Sequence, residues 1–267
     1  MTSYVVTGAS RGLGYAFVSH LASIQGNTVI GIARNKAATE DRLAKDGIKN
    51  VTILAADITD VKAIQTAADE TAKLTGGKLD VLINNAALVV NGSRWSTLVD
   101  DTPEHLEEKL VDSFRANVVG VAHTINAFLP LLRKGTEKKV ITISTGMADL
   151  DLINEFNIAI AAPYSISKAA TNALVAKYHA ALGKECGILF MAISPGLVDT
   201  SEGQAPSEQD LAGGQAMGAA FASYAPHFTG PITADESVKM QMGVIGKATV
   251  ETMGGAFVSH FGNKQWL

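Results

Sequence analysis

Six short runs of apolar, largely β-branched residues, separated by stretches with helical spacing, constrain this chain more than any other feature. The runs are Tyr4 to Thr7, Thr28 to Ala33, Val51 to Ala55, Val81 to Asn84, Val140 to Ser144 and Ile188 to Ile193. Runs this short and this continuously apolar are what strands buried on both faces require. Between them, apolar residues recur with helical spacing, as in Leu13, Phe17, Leu21 and Ile24, and again in Ile64, Ala67, Ala68 and Leu74. Parallel strands need a crossover, and that crossover is right-handed, so repeated strand and helix units predict a doubly wound α/β parallel sheet.

The chain has 267 residues, 47% of them apolar, with 25 glycines, which is enough for one large core and many tight turns. No linker rich in Pro, Gly or Ser interrupts the series before residue 200, so a single domain spanning 1–267 is the expectation. From Thr200 to about Val238 the pattern breaks into Gly, Ala, Ser and Pro, and strand character returns at Gly255 to Ser259. A loop with short helices, covering the carboxyl ends of the strands where ligands bind, is predicted for about 200–238.

The first strand runs into TGASRGLG, which places Gly8, Gly12 and Gly14 across the turn into the first helix. Glycines there let backbone N–H groups and the helix N-terminus approach a pyrophosphate. The spacing differs from G-x-G-x-x-G, with three residues between the first two glycines and one between the last two. The second strand ends in VIGIARN, and Arg34 there offers a planar cation where an acidic residue would repel a 2′-phosphate, which favours NADP(H) over NAD. Arg11, inside the glycine turn, is a second candidate contact.

In order, the chain carries TGASRGLG at 7–14, Asp57-Ile58 after the third strand, NNAA at 84–87, Asn117, YSISK at 164–168 and SPGLVDT at 194–200. This set resembles the short-chain dehydrogenase/reductase family over nearly the whole chain. The resemblance implies a Rossmann-type sheet of about seven strands flanked by helices on both faces, with the last strand near Ala256 to Ser259. It implies an oxidoreductase that moves a hydride between NADP(H) and a carbonyl or alcohol carbon. By the same resemblance, Gly8, Ser10, Arg11, Gly12, Leu13 and Gly14 hold the dinucleotide, Asp57 and Ile58 contact the adenine, and Asn85 sits in a cofactor-lining turn. Ala87 stands where the family has glycine. Pro195, Gly196, Val198 and Thr200 are placed over the nicotinamide.

Tyr164 and Lys168 are four residues apart at the start of a helical stretch, so they project from one face. An ammonium near a phenol favours its ionised form. The resemblance makes Tyr164 the proton donor and Lys168 the residue that lowers its pKa and holds the nicotinamide ribose. It makes Asn117, in the fourth long helix, the anchor of a proton relay. Alignment of VITISTGMAD with the family's ISS pattern puts Thr145 at the catalytic serine position. Threonine keeps the hydroxyl donor but adds a methyl group. Ser144 is the competing candidate, pointing to the opposite face of an extended strand. An insert, Asp149 to Ala161, separates Thr145 from Tyr164 and could reshape the pocket. Leu88, Val89, Met147, Leu150, Ile153, Phe156, Met217 and Phe221 are candidates for an apolar substrate pocket, or for core.

The net charge of −4 and the scattered Lys and Arg residues argue against a nucleic-acid partner. The six histidines and the lone Cys186 show no metal-ligand spacing, so no metal is expected. MTSYVVTGAS enters a strand without a basic segment leading to an apolar stretch, and no apolar run approaches the roughly 20 residues of a membrane span, which predicts a cytoplasmic protein. The expected partners are a small carbonyl or alcohol substrate and, since family members pair through long helices, another copy in a homodimer or homotetramer. A non-redox lyase, isomerase or cyclase on the same fold is the alternative, because a fold does not fix a function.

Overall fold

The computed structural model describes residues 1–203, 205, 207–225 and 228–267. Gln204, Pro206, Pro226 and His227, all within the stretch expected to cover the strand ends, lie outside the described residues. In chain order the elements are β1 (Ser3–Thr7), α1 (Gly12–Ala22), β2 (Thr28–Ala33), α2 (Lys36–Lys45), β3 (Val51–Ala55), α3 (Val61–Thr75) and β4 (Val81–Asn84). There follow α4 (Pro103–Phe114), α5 (Gly120–Leu132), β5 (Lys139–Ile143), α6 (Leu150–Phe156), α7 (Ala162–Cys186) and β6 (Leu189–Ser194). The last part holds β7 (Val198–Asp199), α8 (Glu208–Tyr224), β8 (Ile232–Thr233), α9 (Ala234–Lys247), α10 (Val250–Met253) and β9 (Phe257–Ser259).

The seven-stranded sheet is parallel throughout, in the order β3-β2-β1-β4-β5-β6-β9. The strand order reverses between β1 and β4, and the crevice at such a switch point is where open α/β sheets bind ligands. Each face is sealed by its own helices. Ile64, Ala67 and Ala68 of α3, Val121, Ile125 and Phe128 of α5, and Val175 of α7 pack on one side. Phe17, Val18 and Leu21 of α1, Leu43 of α2, and Val238 and Ile245 of α9 pack on the other. β1, β2, β4, β5 and β6 are buried on both faces, as their continuous apolar runs require, while the edge strands β3 and β9 are partly exposed.

The strands fall within a residue or two of the sequence reading, but other expectations are corrected. Ile24 and Leu74, counted in the helical patterns, are exposed at helix ends. The stretch after Thr200 holds a helix of 17 residues, α8, rather than only short ones. Gly213, Gly214 and Gly218 lower its propensity and hid it. A signal for its start was present: Ser207 and Asp210 form a capping box. The insert before Tyr164 forms α6, capped by Asp149 and closed by Asn157 in the left-handed region.

Below the site, at the amino ends of the strands, buried Asp80 accepts from the Ser3 amide (2.8 Å), the Ser3 hydroxyl (2.8 Å) and the Thr136 amide (2.7 Å). One carboxylate thus ties β1, β4 and the approach to β5. Asp80→Ala leaves these donors unpaired in a dry setting and is expected to lower stability by about 2–4 kcal/mol. A urea titration reads this as an earlier midpoint with an unchanged slope.

Candidate active site

At the carboxyl end of β1 the chain turns into α1 with almost no clearance. A Cβ on Gly14 would stand 2.1 Å from the Gly8 carbonyl oxygen, and one on Gly8, at φ +70°, would stand 2.9 Å from the Ala86 Cα. Asn85 holds the turn from the side. Its amide nitrogen Nδ2 donates to the Thr7 carbonyl at 2.9 Å and the Gly8 carbonyl at 3.4 Å. The Thr7 hydroxyl accepts from the Asn85 and Ala86 amides, each at 3.0 Å. Thr7 was not singled out from sequence, because a threonine ending a strand carries no motif signal.

The Gly12 amide at the start of α1 donates to the Glu202 carboxylate at 2.9 Å, and Arg42 donates to the same oxygen at 2.8 Å. Arg42 also donates to the Ser10 carbonyl and lies 3.8 Å over the Tyr15 ring. A carboxylate seated on this helix N-terminus shows that the turn accepts an anion, which is the test a pyrophosphate-binding cradle must meet. Burial raises the Glu202 carboxyl, but the Gly12 amide and the Arg42 and Arg11 charges outweigh it and hold it below the usual range. Thr200 lies over the turn too: a Cβ on Gly12 would meet its methyl at 3.5 Å. Glu202 and Arg42 are far from the motifs in sequence, so no spacing could reveal them.

Arg34 ends β2 exposed, and its charge reaches Asp57. Asp57 accepts from the Thr59 amide (2.8 Å) and hydroxyl (2.7 Å). Burial raises its carboxyl, yet these bonds and the Arg34 and Arg115 charges bring it below the ordinary value. Ile58 is buried with its side chain against Gly120, where a Cβ would stand 3.0 Å away.

Across the crevice, α7 presents Tyr164 and Lys168 one turn apart. Lys168 is buried, and its ammonium donates to the Ile143 carbonyl at 2.7 Å, at the end of β5. It lies 5.7 Å from the Tyr164 ring centroid. Burial pushes the Lys168 ammonium down to about 8 and the Tyr164 phenol up to about 12. Desolvation is the cause of both shifts, and the ammonium gives its hydrogen bond to a backbone carbonyl.

Thr145 follows β5, caps the turn at 146–148, and its hydroxyl accepts from the Met147 amide at 3.3 Å. Ser144 points elsewhere, donating to Asn172 of α7 at 2.7 Å. Asn117 is not in a regular helix but in the π-helical turn Arg115–Val119 between α4 and α5. It is wholly buried; its Oδ1 accepts from the Leu88 amide (2.7 Å), and its Nδ2 donates to the Leu88 carbonyl and the Ser167 hydroxyl, both at 2.9 Å. The Thr171 hydroxyl donates to its backbone carbonyl at 2.8 Å. Asn117 thus brackets α7 to the loop after β4.

Pro195 accepts at its carbonyl from Ser237 (2.6 Å), and Gly196, at φ +83°, is backed by His260, whose Cε1 a Cβ there would meet at 2.7 Å. Val198 and Asp199 pair with Ile232 and Thr233, fastening the base of the segment that follows. Of the apolar pocket candidates, Met147, Phe156, Met217 and Phe221 join one cluster with Leu152, Ile158 and Trp266. Leu150 is 68% exposed, and Leu88 and Val89 lie outside the cluster on the loop after β4. Among the described residues no group of His, Cys, Asp or Glu could hold a metal ion, and no helix is long and apolar enough to cross a membrane.

The family described as short chain dehydrogenase matches residues 3–211. The short-chain dehydrogenase/reductase AacuF of Aspergillus aculeatus is 56% identical over 267 residues, covering 100% of both chains. The short chain dehydrogenase virK of Hypocrea virens is 46% identical over 272 aligned residues, again covering 100% of both. Among solved structures, an NADPH-bound carbonyl reductase from chicken fatty liver superposes with a TM-score of 0.78 at 26% identity, covering 98% of both chains. The carbonyl reductase Sniffer of D. melanogaster matches the fold with the same TM-score at 22% identity, covering 98% of each chain.

A buried ammonium with a single carbonyl partner is a stability cost. Its folded-state pKa lies below the unfolded value, so the folded state binds fewer protons between about pH 8 and 10.5, and stability rises with pH across that window. Lys168→Met is expected to raise stability at pH 7 by about 1–3 kcal/mol and to flatten that rise. Denaturant titrations at pH 7, 8, 9 and 10 check both.

Proposed function

This chain belongs to the short-chain dehydrogenase/reductase family of oxidoreductases, and on that premise we propose that it reduces the carbonyl of a small, largely apolar molecule with NADPH. The observation that carries the reading is the meeting, at one end of the sheet, of the anion-accepting glycine turn with Tyr164, Lys168 and Thr145 at the junction of β5 and α7. NADPH, when bound, supplies the hydride. The glycine turn, with Gly8, Ser10, Arg11, Gly12, Leu13 and Gly14, would hold its pyrophosphate, Arg34 its 2′-phosphate, and Asp57 and Ile58 its adenine. Asn85 keeps the turn open to the ligand. Pro195, Gly196, Val198 and Thr200 would line its nicotinamide end.

Tyr164 moves a proton from Oη to the substrate oxygen. Its high pKa keeps it protonated across the neutral range, as a donor requires. Thr145 donates a hydrogen bond to the same oxygen, where charge develops, a contribution of about 3–4 kcal/mol for a well-placed donor. Lys168 holds the ribose with its charged ammonium, and Asn117 fixes α7 and the loop after β4 relative to each other. Asn117 anchors the relay that returns a proton to this region. The exposed Val111, Phe114 and Ile166 on α4 and α7 support a homodimer or homotetramer built through these helices. The absence of a membrane-spanning helix among the described residues is compatible with the cytoplasmic location we assign.

Wild type is expected to consume NADPH with members of a panel of ketones and aldehydes, and to prefer NADPH over NADH. Arg34→Asp should reverse or erase that preference, since a bidentate phosphate contact contributes about 1.5–3 kcal/mol before screening. Glu202→Gln should tighten NADPH about 3- to 10-fold at low salt, because the carboxylate competes with the pyrophosphate for Gly12 and Arg42. Fluorescence titration of NADPH and kcat/KM for each cofactor at one ionic strength read both; an unchanged ratio in Arg34→Asp would set aside the NADP assignment.

Tyr164→Phe should cut reduction by about 10²- to 10⁴-fold with NADPH affinity nearly unchanged. In wild type the ammonium of Lys168 is lost as pH rises through about 8, so kcat/KM for reduction should be level below that pH and fall about tenfold per unit above it. In Lys168→Arg the limb should move beyond pH 10. A limb that stays at about 8 in that variant belongs to another group.

A further inference from the structure

The segment 264–267 reaches back across the molecule to the turn that carries Thr145. Trp266 is only 4% exposed, and a Cβ on Gly146 would stand 2.6 Å from its Cβ and 2.9 Å from its Cγ. Gly146 is therefore glycine because the base of the Trp266 side chain fills the place of its own. The same indole stacks on Phe257 of β9, with centroids 4.4 Å apart and planes at 17°. From the other side, Ser194 of β6 accepts the Gly146 amide at 2.9 Å. The residue after Thr145 is held between a strand and an indole.

The segment is fastened to α8 as well. The Trp266 amide donates to the Tyr224 hydroxyl at 2.9 Å, and that hydroxyl donates to the Lys264 carbonyl at 3.1 Å. Tyr224 meets Phe156 of α6 edge to face at 5.2 Å. Lys264 lies 3.5 Å from Asp149, the cap of α6, and 5.1 Å from the rings of Phe257 and Trp266. One tryptophan thus touches the catalytic turn, the last strand and, through Tyr224, the helix that follows the nicotinamide loop.

We propose that Trp266 is a positioning residue for the reaction: it seats the Thr145–Gly146 turn, and with it the Thr145 hydroxyl, and pins the end of α8 over the same site. This rests on the reading of Thr145 as the hydrogen-bond donor to the substrate oxygen. A donor aimed at developing charge loses much of its value when displaced by about an ångström. Phe at 266 keeps a ring against Phe257 and the backbone bond to Tyr224, whereas Ala keeps only the latter.

The test compares wild type, Trp266→Ala, Trp266→Phe and Gly146→Ala by steady-state kinetics, NADPH titration, thermal unfolding and hydrogen exchange. Trp266→Ala should lower kcat about 10- to 100-fold while NADPH Kd stays within about twofold and the chain remains folded. Trp266→Phe should recover kcat to within about threefold of wild type. Gly146→Ala should lower kcat in the wild-type background and cost less in a Trp266→Gly background, which removes the Cβ that the new methyl would meet at 2.6 Å. Exchange at amides 145–148 and 217–225 should quicken in Trp266→Ala and not in Trp266→Phe. An unchanged kcat in folded Trp266→Ala, or a loss shared equally by kcat and NADPH affinity, overturns the proposal. If wild type reduces no carbonyl, the reading of the reaction fails instead, and unchanged exchange at those amides in Trp266→Ala still overturns the fastening on its own.

Discussion

The site depends on how closely α1 approaches β1. Gly14 sits against the Gly8 carbonyl at a distance that no side chain allows, and that contact brings the first N–H groups of α1 to the open end of the sheet. Two further contacts make it rigid. Asn85 spans the Thr7 and Gly8 carbonyls, and the Thr7 hydroxyl takes two amides of the β4 turn. Because β1 and β4 flank the point where strand order reverses, the same bonds that shape the anion cradle also set the gap into which a nucleotide fits.

The other wall follows a different logic. α7 carries Lys168 into a dry environment where its ammonium has the Ile143 carbonyl for a partner, an arrangement that costs stability. Desolvation at the same end of α7 raises the Tyr164 phenol and keeps it protonated. The π-helical turn around Asn117 belongs to the same wall, since an irregular turn places its amide between Leu88 and Ser167, where a regular helix would rotate it away.

Much of this was legible in the sequence, for reasons that can be named. Strands buried on both faces leave continuous apolar runs, and the alternation of strand and helix marks a doubly wound parallel sheet, while the count of about seven strands came with the family resemblance. Glycines with no room for a Cβ, at 8 and 14, left their mark as a motif. What escaped depends on distance along the chain. Glu202 meets Gly12 across 190 positions, and Arg42 meets Glu202 across 160, so neither contact has a spacing to read. Helix α8 was obscured by its glycines, of which Gly213 serves packing: a Cβ there would stand 2.2 Å from the Trp95 ring. The desolvation that raises the Tyr164 phenol and lowers the Lys168 ammonium was not legible, because proximity along a helix says nothing of solvent exposure.

Helix α8 shows why the substrate side of such a site is the hardest part to read. Near its first turn, Asp210 accepts from the Trp95 indole at 2.9 Å and from Ser207, and these bonds hold its carboxyl down to about 2. At its last turn, Tyr224 is tied to Lys264 and Trp266. The helix is therefore anchored at one end by the loop after β4 and at the other by the residues after β9, while Phe221 and Met217 between them face the cluster beside the Thr145 turn. Neither anchor belongs to the sheet. The substrate side of the site is therefore built by contacts between segments distant in sequence, Trp95 at one end of α8 and Trp266 at the other, which no local spacing announces.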